Sequence, residues 1–123
     1  MMPRTRQYRE SKLQKMLVIW MRLKKVPHYS IPNEGRRSAI QGRRLVEQGM
    51  WPGASDLFIC RMAGKFGGFY VELKGKGGQP TEKQLHFMEC MRKEGYKAEW
   101  YDNFDEATKA IEQYLNLDVP RGT

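Results

Sequence analysis

At 123 residues the chain is long enough to bury one core and too short for two ordinary domains. Lys and Arg number 22 against 14 Asp and Glu, a net charge of +8 with a pI near 9.7, which points to a polyanionic partner, nucleic acid before membrane. Two cysteines make no disulfide framework, no Cys/His spacing suggests zinc, and the longest apolar run, Met16 to Met21, is six residues; neither a transmembrane helix nor a signal peptide is expected.

Residues 7 to 25 read as a helix, with Leu13, Met16, Leu17, Trp20 and Leu23 at helical spacing forming an apolar stripe. Glu10 continues that stripe at its N-terminal end. There a carboxylate either enters a site or complements the helix dipole from a first turn, and both readings stand. Pro27 ends the helix, and Val26 to Pro32 is an extended strand or loop whose His28 is read as structural or exposed rather than as a general base. Asn33-Glu34-Gly35 makes a turn. Arg36, Arg37, Arg43 and Arg44 then bracket a short polar helix ending at Gly49. Such a basic cluster suits the positioning of a phosphate backbone, with a merely solvated face as the alternative. Residues 1 to 25 are strongly basic against the one acid Glu10, and residues 102 to 118 are mostly acidic, so one side of the molecule is expected to face phosphate.

The stretch Met50 to Lys74 organises the chain. Trp51-Pro52-Gly53 is a tight entry turn, and Leu57 to Arg61 and Phe69 to Lys74 are strands separated by Gly64, Gly67 and Gly68. A fold-back near Gly64-Lys65 gives an antiparallel hairpin that sets Asp56 opposite Glu72 to Lys74. Alternation puts Glu72 and Lys74 on one face, with Val71 and Leu73 on the other. Cys60, in an apolar strand, and Cys90 are expected as reduced, buried small hydrophobes of a cytosolic protein.

Gly75 to Pro80 is a flexible basic loop carrying Lys76, and Thr81-Glu82-Lys83-Gln84 is a capping box that opens a helix with Leu85, Met88 and Met91 on one face and Gly95 as its cap. Lys97 to Tyr101 alternates as a further strand with Ala98 and Trp100 on one face. A last helix spans roughly Asp105 to Asn116 with Ala107, Ile111, Tyr114 and Leu115 inward. Residues 1–116 are thus expected as one α/β domain with a small mixed sheet flanked by helices, and 117–123 as a loose tail.

Two carboxylates and an ammonium converging at one end of a hairpin suit metal-assisted cleavage of a phosphodiester. Mg²⁺ or Mn²⁺ prefers oxygen ligands and is usually held by one or two carboxylates plus substrate phosphate, and a nearby lysine balances developing negative charge. The competing reading of Glu72 and Lys74 is the solvated face of a half-buried strand, which alternation alone also produces. Arg9, Lys12, Arg36, Arg37, Arg43, Arg44 and Lys76 are the candidate contacts to a nucleic-acid backbone.

The ordered set Gly49-x-x-Pro52-Gly53-x-x-Asp56, then Glu72-Leu73-Lys74, then Thr81-x-x-Gln84 resembles the virus-type replication-repair nuclease (VRR-NUC) domain, of the restriction-endonuclease-like PD-(D/E)xK superfamily. The resemblance runs from Glu10 through Pro32-Asn33 and Gly42 to Gly95-Tyr96 and Asp105-Glu106-Ala107. It implies a PD-(D/E)xK core with Asp56, Glu72 and the backbone carbonyl of Leu73 as ligands of Mg²⁺ or Mn²⁺ and Lys74 in the catalytic lysine position. It further implies that Glu10 completes the acidic site, at a second metal or through a water, and that Gln84 contributes from the helix after the strand; a capping role for Gln84 stays open beside this. Asp56 follows Gly-Ala-Ser rather than an immediate proline, a departure from the superfamily label that the upstream Pro52-Gly53 pair matches to the VRR-NUC pattern. Members with such a bare core resemble phage and bacterial stand-alone enzymes, which implies a homodimer cutting branched DNA such as four-way (Holliday) junctions, in the cytoplasm of a bacterial or phage-infected cell. Two other readings stand: another PD-(D/E)xK nuclease of restriction or flap- and single-strand-trimming type, and a DNA-binding module without catalysis.

Overall fold

The computed structural model describes residues 4–32 and 38–118. The elements run α1 (Arg4–Leu23), β1 (His28–Ser30), α2 (Ala39–Glu47), β2 (Leu57–Ile59), β3 (Phe69–Leu73), α3 (Glu82–Lys93), β4 (Lys97–Tyr101) and α4 (Phe104–Leu115). The four strands form one mixed sheet in the order β1-β2-β3-β4. The first two pairings are antiparallel, and β3 and β4 are parallel, with α3 supplying the crossover that a parallel pair needs. The expected α/β class with a small mixed sheet flanked by helices is therefore the observed one.

The sheet separates two layers of side chains. Leu57, Ile59, Phe69, Val71 and Leu73 form a core with Leu13, Leu17 and Met21 of α1 and Ala107, Ile111 and Tyr114 of α4. On the opposite face Phe58 and Tyr70 meet at a tilt of 42°, with ring centroids 4.4 Å apart, and Tyr70 meets Phe87 of α3 at 5.2 Å. Tyr114 donates to the carbonyl of Arg61 at 2.5 Å, which anchors α4 to the end of the hairpin.

Several expectations from sequence change in detail. On α1 the buried positions are Leu13, Leu17 and Met21, spaced four apart, while Met16 and Leu23 are exposed. A helix lying on a narrow sheet buries only one such row. Met21 is fully buried and belongs to the core. Glu10 lies six residues inside a helix that starts at Arg4, which removes the first-turn dipole reading. On α3 the buried pair is Phe87 and Met88, and Leu85 is exposed. Cys60 is exposed, because β2 ends at Ile59, whose side chain points inward; Cys90 is half-buried, and both are free.

The segment Gly75 to Pro80 contains a tight turn in which the Gly78 N–H donates to Gly75 at 2.7 Å. The carbonyl of Asp118 accepts from the Gly64 N–H at 2.6 Å, so the chain just beyond α4 is tied to the hairpin. The turn expected at Asn33-Glu34-Gly35, the arginines Arg36 and Arg37, and tail residues 119–123 lie outside the described residues. None of the described helices is long and apolar enough to cross a membrane.

Candidate active site

The hairpin register decides the site. Leu57 pairs with Val71, so Asp56 falls opposite Glu72 one step beyond the ladder. The Asp56 backbone carbonyl accepts from the Ile31 N–H at 2.8 Å, and its Oδ2 accepts from the Leu73 N–H at 2.7 Å. Asp56 is thereby clamped between the segment after β1 and the end of β3. Upstream, Gly53 adopts φ +90, and a Cβ there would sit 2.6 Å from the Lys83 backbone; only glycine permits this approach of the loop to the start of α3.

Glu72 and Lys74 are not a solvated strand face. They are 2% and 4% exposed. Burial pushes the Glu72 carboxyl up to about 10, helped by the charge of neighbouring Asp56 and a hydrogen bond shared with it, and opposed by Lys74. Its Oε1 is buried without a hydrogen-bond partner. A native protein rarely leaves such an acceptor unpaired, and a carboxylate oxygen without a donor is suited to a cation. Lys74 continues the β3–β4 ladder by donating its N–H to Tyr101 at 2.9 Å, and its Nζ stands 3.9 Å from Glu10 Oε1.

Glu10, Asp56, Glu72, Leu73, Lys74 and Gln84 all line one cleft of about 690 Å³. Gln84 also closes the capping box: its Oε1 accepts from the Thr81 N–H at 2.9 Å, and its own N–H donates to Thr81 Oγ1 at 3.2 Å. The capping and cleft positions of Gln84 are thus compatible, since the cap occupies the amide oxygen and leaves the amide nitrogen.

Among the described residues no three His, Cys, Asp or Glu side chains form a metal-binding group. The donor set at the end of β3 is smaller: the Asp56 and Glu72 carboxylates, the latter with its unpartnered Oε1, and the neighbouring Leu73 backbone. That matches a hard divalent cation that keeps waters and shares substrate phosphate rather than a closed all-protein cage. His28 does not line the cleft; its Nδ1 lies 2.8 Å from the Val26 carbonyl.

The remaining wall is α1, which contributes Ser11, Gln14, Lys15, Val18, Ile19 and Arg22. Lys15 and Arg22 were not among the cations read from sequence as nucleic-acid contacts. Their signal was there: positions 11, 15, 18 and 22 fall on one helical stripe beside Glu10. Of the cations that were named, Arg9, Lys12, Arg43, Arg44 and Lys76 are exposed and lie outside this cleft.

No protein-family model matches the sequence, and no curated protein matches it. A solved structure described as a VRR_NUC domain protein superposes with a TM-score of 0.78 at 23% sequence identity, covering 89% of this chain and 90% of its own. The fold is that of a VRR-NUC domain. Coverage of about nine-tenths of each chain means that the likeness takes in helices and sheet together.

Proposed function

We propose that this chain is a divalent-metal-dependent DNA endonuclease that hydrolyses phosphodiesters at the cleft between α1 and the end of β3. The observation that carries the reading is Glu72, buried beside Asp56 with an unpartnered oxygen and with the Lys74 ammonium two residues on. Burying Glu72 and Lys74 beside the half-buried Asp56 costs stability, and such perturbed ionisable clusters concentrate at functional sites. The VRR-NUC fold and the net charge of +8 point the same way.

Asp56, Glu72 and the Leu73 carbonyl would hold Mg²⁺ or Mn²⁺, with Glu10 at a second ion or reached through a water. When bound, the cation supplies Lewis-acid stabilisation of the phosphate oxygens and makes water more acidic at neutral pH. Lys74 places a fixed positive charge where negative charge grows in the transition state and orients the attacking water. Glu10 steadies the Lys74 ammonium. The amide nitrogen of Gln84 is free to donate to substrate while its oxygen caps α3. The finer reading is a homodimer acting on branched DNA such as four-way junctions, since paired cuts on a two-fold symmetric substrate call for two symmetry-related sites.

The experiment is cleavage of a labelled four-way junction, a flap and a linear duplex with Mg²⁺, Mn²⁺ or EDTA, comparing wild type with Lys74→Ala and Glu72→Gln. Symmetric paired cuts in the junction are expected. EDTA should abolish them, and each variant should slow them by at least about 100-fold, the scale of one lost transition-state contact. Tight DNA binding with no cleavage of any substrate in either metal would leave a DNA-binding module and overturn the enzyme. Cleavage of linear duplex alone would leave a nuclease of another type.

A further inference from the structure

A second cleft, of about 450 Å³, opens on the α3 side of the sheet, and the chemistry above does not use it. Tyr29, Trp51, Tyr70 and Phe87 are among its walls, with Leu45 and Gln48 from α2 and the turn beyond it. Its rings are braced against one another. Trp51 meets Phe87 edge-on at 5.4 Å and 89°, Phe87 meets Tyr70 at 85°, and Phe58 bridges Tyr70 and Tyr29. Yet Trp51 remains 43% and Tyr29 53% exposed at the mouth. Aromatic planes fixed from below and open above are platforms for another flat ring.

Position and charge identify that ring. Tyr70 precedes Glu72 by two residues on the same face of β3, about 6.6 Å away, which is roughly two base steps of a DNA strand. Ala54 lines this cleft and Asp56 the catalytic one; Tyr29 and Ile31 line this cleft and Ser30, between them, the catalytic one. The two clefts therefore share three chain segments. Beside it, Arg44 lines a shallow concavity that shares Leu45 and Gln48 with this cleft, and α2 exposes Arg43 and Arg44 against the one acid Glu47, a balance that favours phosphate.

We propose that the aromatic cleft receives an unpaired nucleobase one or two positions from the scissile phosphate, stacked on Trp51 and Tyr29, with the adjoining backbone held by Arg44. The inference rests on the nuclease reading and adds a source of substrate choice. A paired base cannot enter such a cleft without leaving its stack, so the cleft selects gaps, flaps and junction cores over continuous duplex. Ring stacking is indifferent to base identity, so the preference is for structure and not sequence.

The test uses the full chain in EDTA, where cleavage plays no part, with a gapped duplex carrying 2-aminopurine at each unpaired position in turn and a fully paired duplex as control. Binding should quench 2-aminopurine at one or two positions. Trp51→Ala and Tyr29→Ala should each abolish that quench and weaken gapped-duplex binding by about tenfold or more, with paired-duplex binding unchanged. Trp51→Phe should restore most of the signal. If Trp51→Ala misfolds, the rim variant Tyr29→Ala carries the test alone. Equal weakening on both duplexes, no position-dependent quench, or conversion of a dimer to monomer by Trp51→Ala in sedimentation would each overturn the proposal; the last would assign the cleft to a second copy. A chain that shows the quench but cuts no DNA would fail as a nuclease while keeping its base site.

Discussion

Glu72 carries a cost that makes its role measurable without any nuclease assay. Its carboxyl titrates near 4.5 when free and about 10 in the folded chain, because burial and then Asp56 penalise its charge. Between those values the folded state holds a proton that the unfolded state has released, so stability falls as pH rises through that window; below about 4.5 both states are protonated and the penalty vanishes. In EDTA, Glu72→Gln should therefore be more stable than wild type at pH 8 by at least about 1 kcal/mol, and the two should converge near pH 4. Mg²⁺ should raise the wild-type denaturation midpoint at pH 8 and leave that of Glu72→Gln nearly unchanged, since a cation at Asp56 and Glu72 displaces the proton. Urea titrations at several pH values read both effects, and a Glu72→Gln variant less stable than wild type at pH 8 would show that the carboxylate has a structural partner. What sequence could not reveal about this residue was its burial. Alternation placed Glu72 on the face opposite Val71, but a strand of five residues covered by helices on both sides hides both faces, and the covering helices come from distant parts of the chain.

The central hairpin was legible because its signals are local. Apolar runs, glycines between them and an odd-even alternation fix the pairing of β2 with β3 and hence the meeting of Asp56 with Glu72. The capping boxes at Ser38 and Thr81 are equally local. Helix faces were read less well, because which row of α1 or α3 is buried depends on the angle at which the helix meets the sheet. Phe87, the ring that supports both Trp51 and Tyr70, was missed for that reason. The loop before β2 gives a prediction at this scale. Gly53→Ala forces a side chain into φ +90 and into the backbone of Lys83. It should destabilise the fold by about 1–3 kcal/mol and, by shifting the loop that delivers Asp56, lower nuclease activity further than the loss of folded protein accounts for. Thermal denaturation and specific activity per folded molecule separate the two effects. Full activity per folded molecule would mean that the clamp on Asp56 by Ile31 and Leu73 suffices without the turn.

Across the whole molecule, net charge predicted a polyanionic partner but not which cations would meet it. The geometry ranks them. Lys15 and Arg22 line the cleft that holds Asp56 and Glu72, while Arg9, Lys12 and Lys76 lie outside it. Arg22 is twelve residues beyond Glu10 on a continuous helix, about 18 Å along the axis. That length spans about five phosphates of one duplex strand. Under the proposed function, the cleft would hold DNA from its acidic end along α1, and Lys15 and Arg22, two helical turns apart, would take phosphates on one side of the cut. If so, each is an electrostatic contact without sequence information, and each contributes about one unit to the dependence of log K on log salt. A Lys15→Gln/Arg22→Gln double variant should bind DNA more weakly at every salt concentration, with a salt slope shallower by about 2. Lys76→Gln should change the slope by much less. Binding titrations from about 50 to 200 mM salt resolve that difference. An unchanged slope in the double variant would place the DNA elsewhere on the surface and would separate the acidic cleft from the basic footprint that the composition announces.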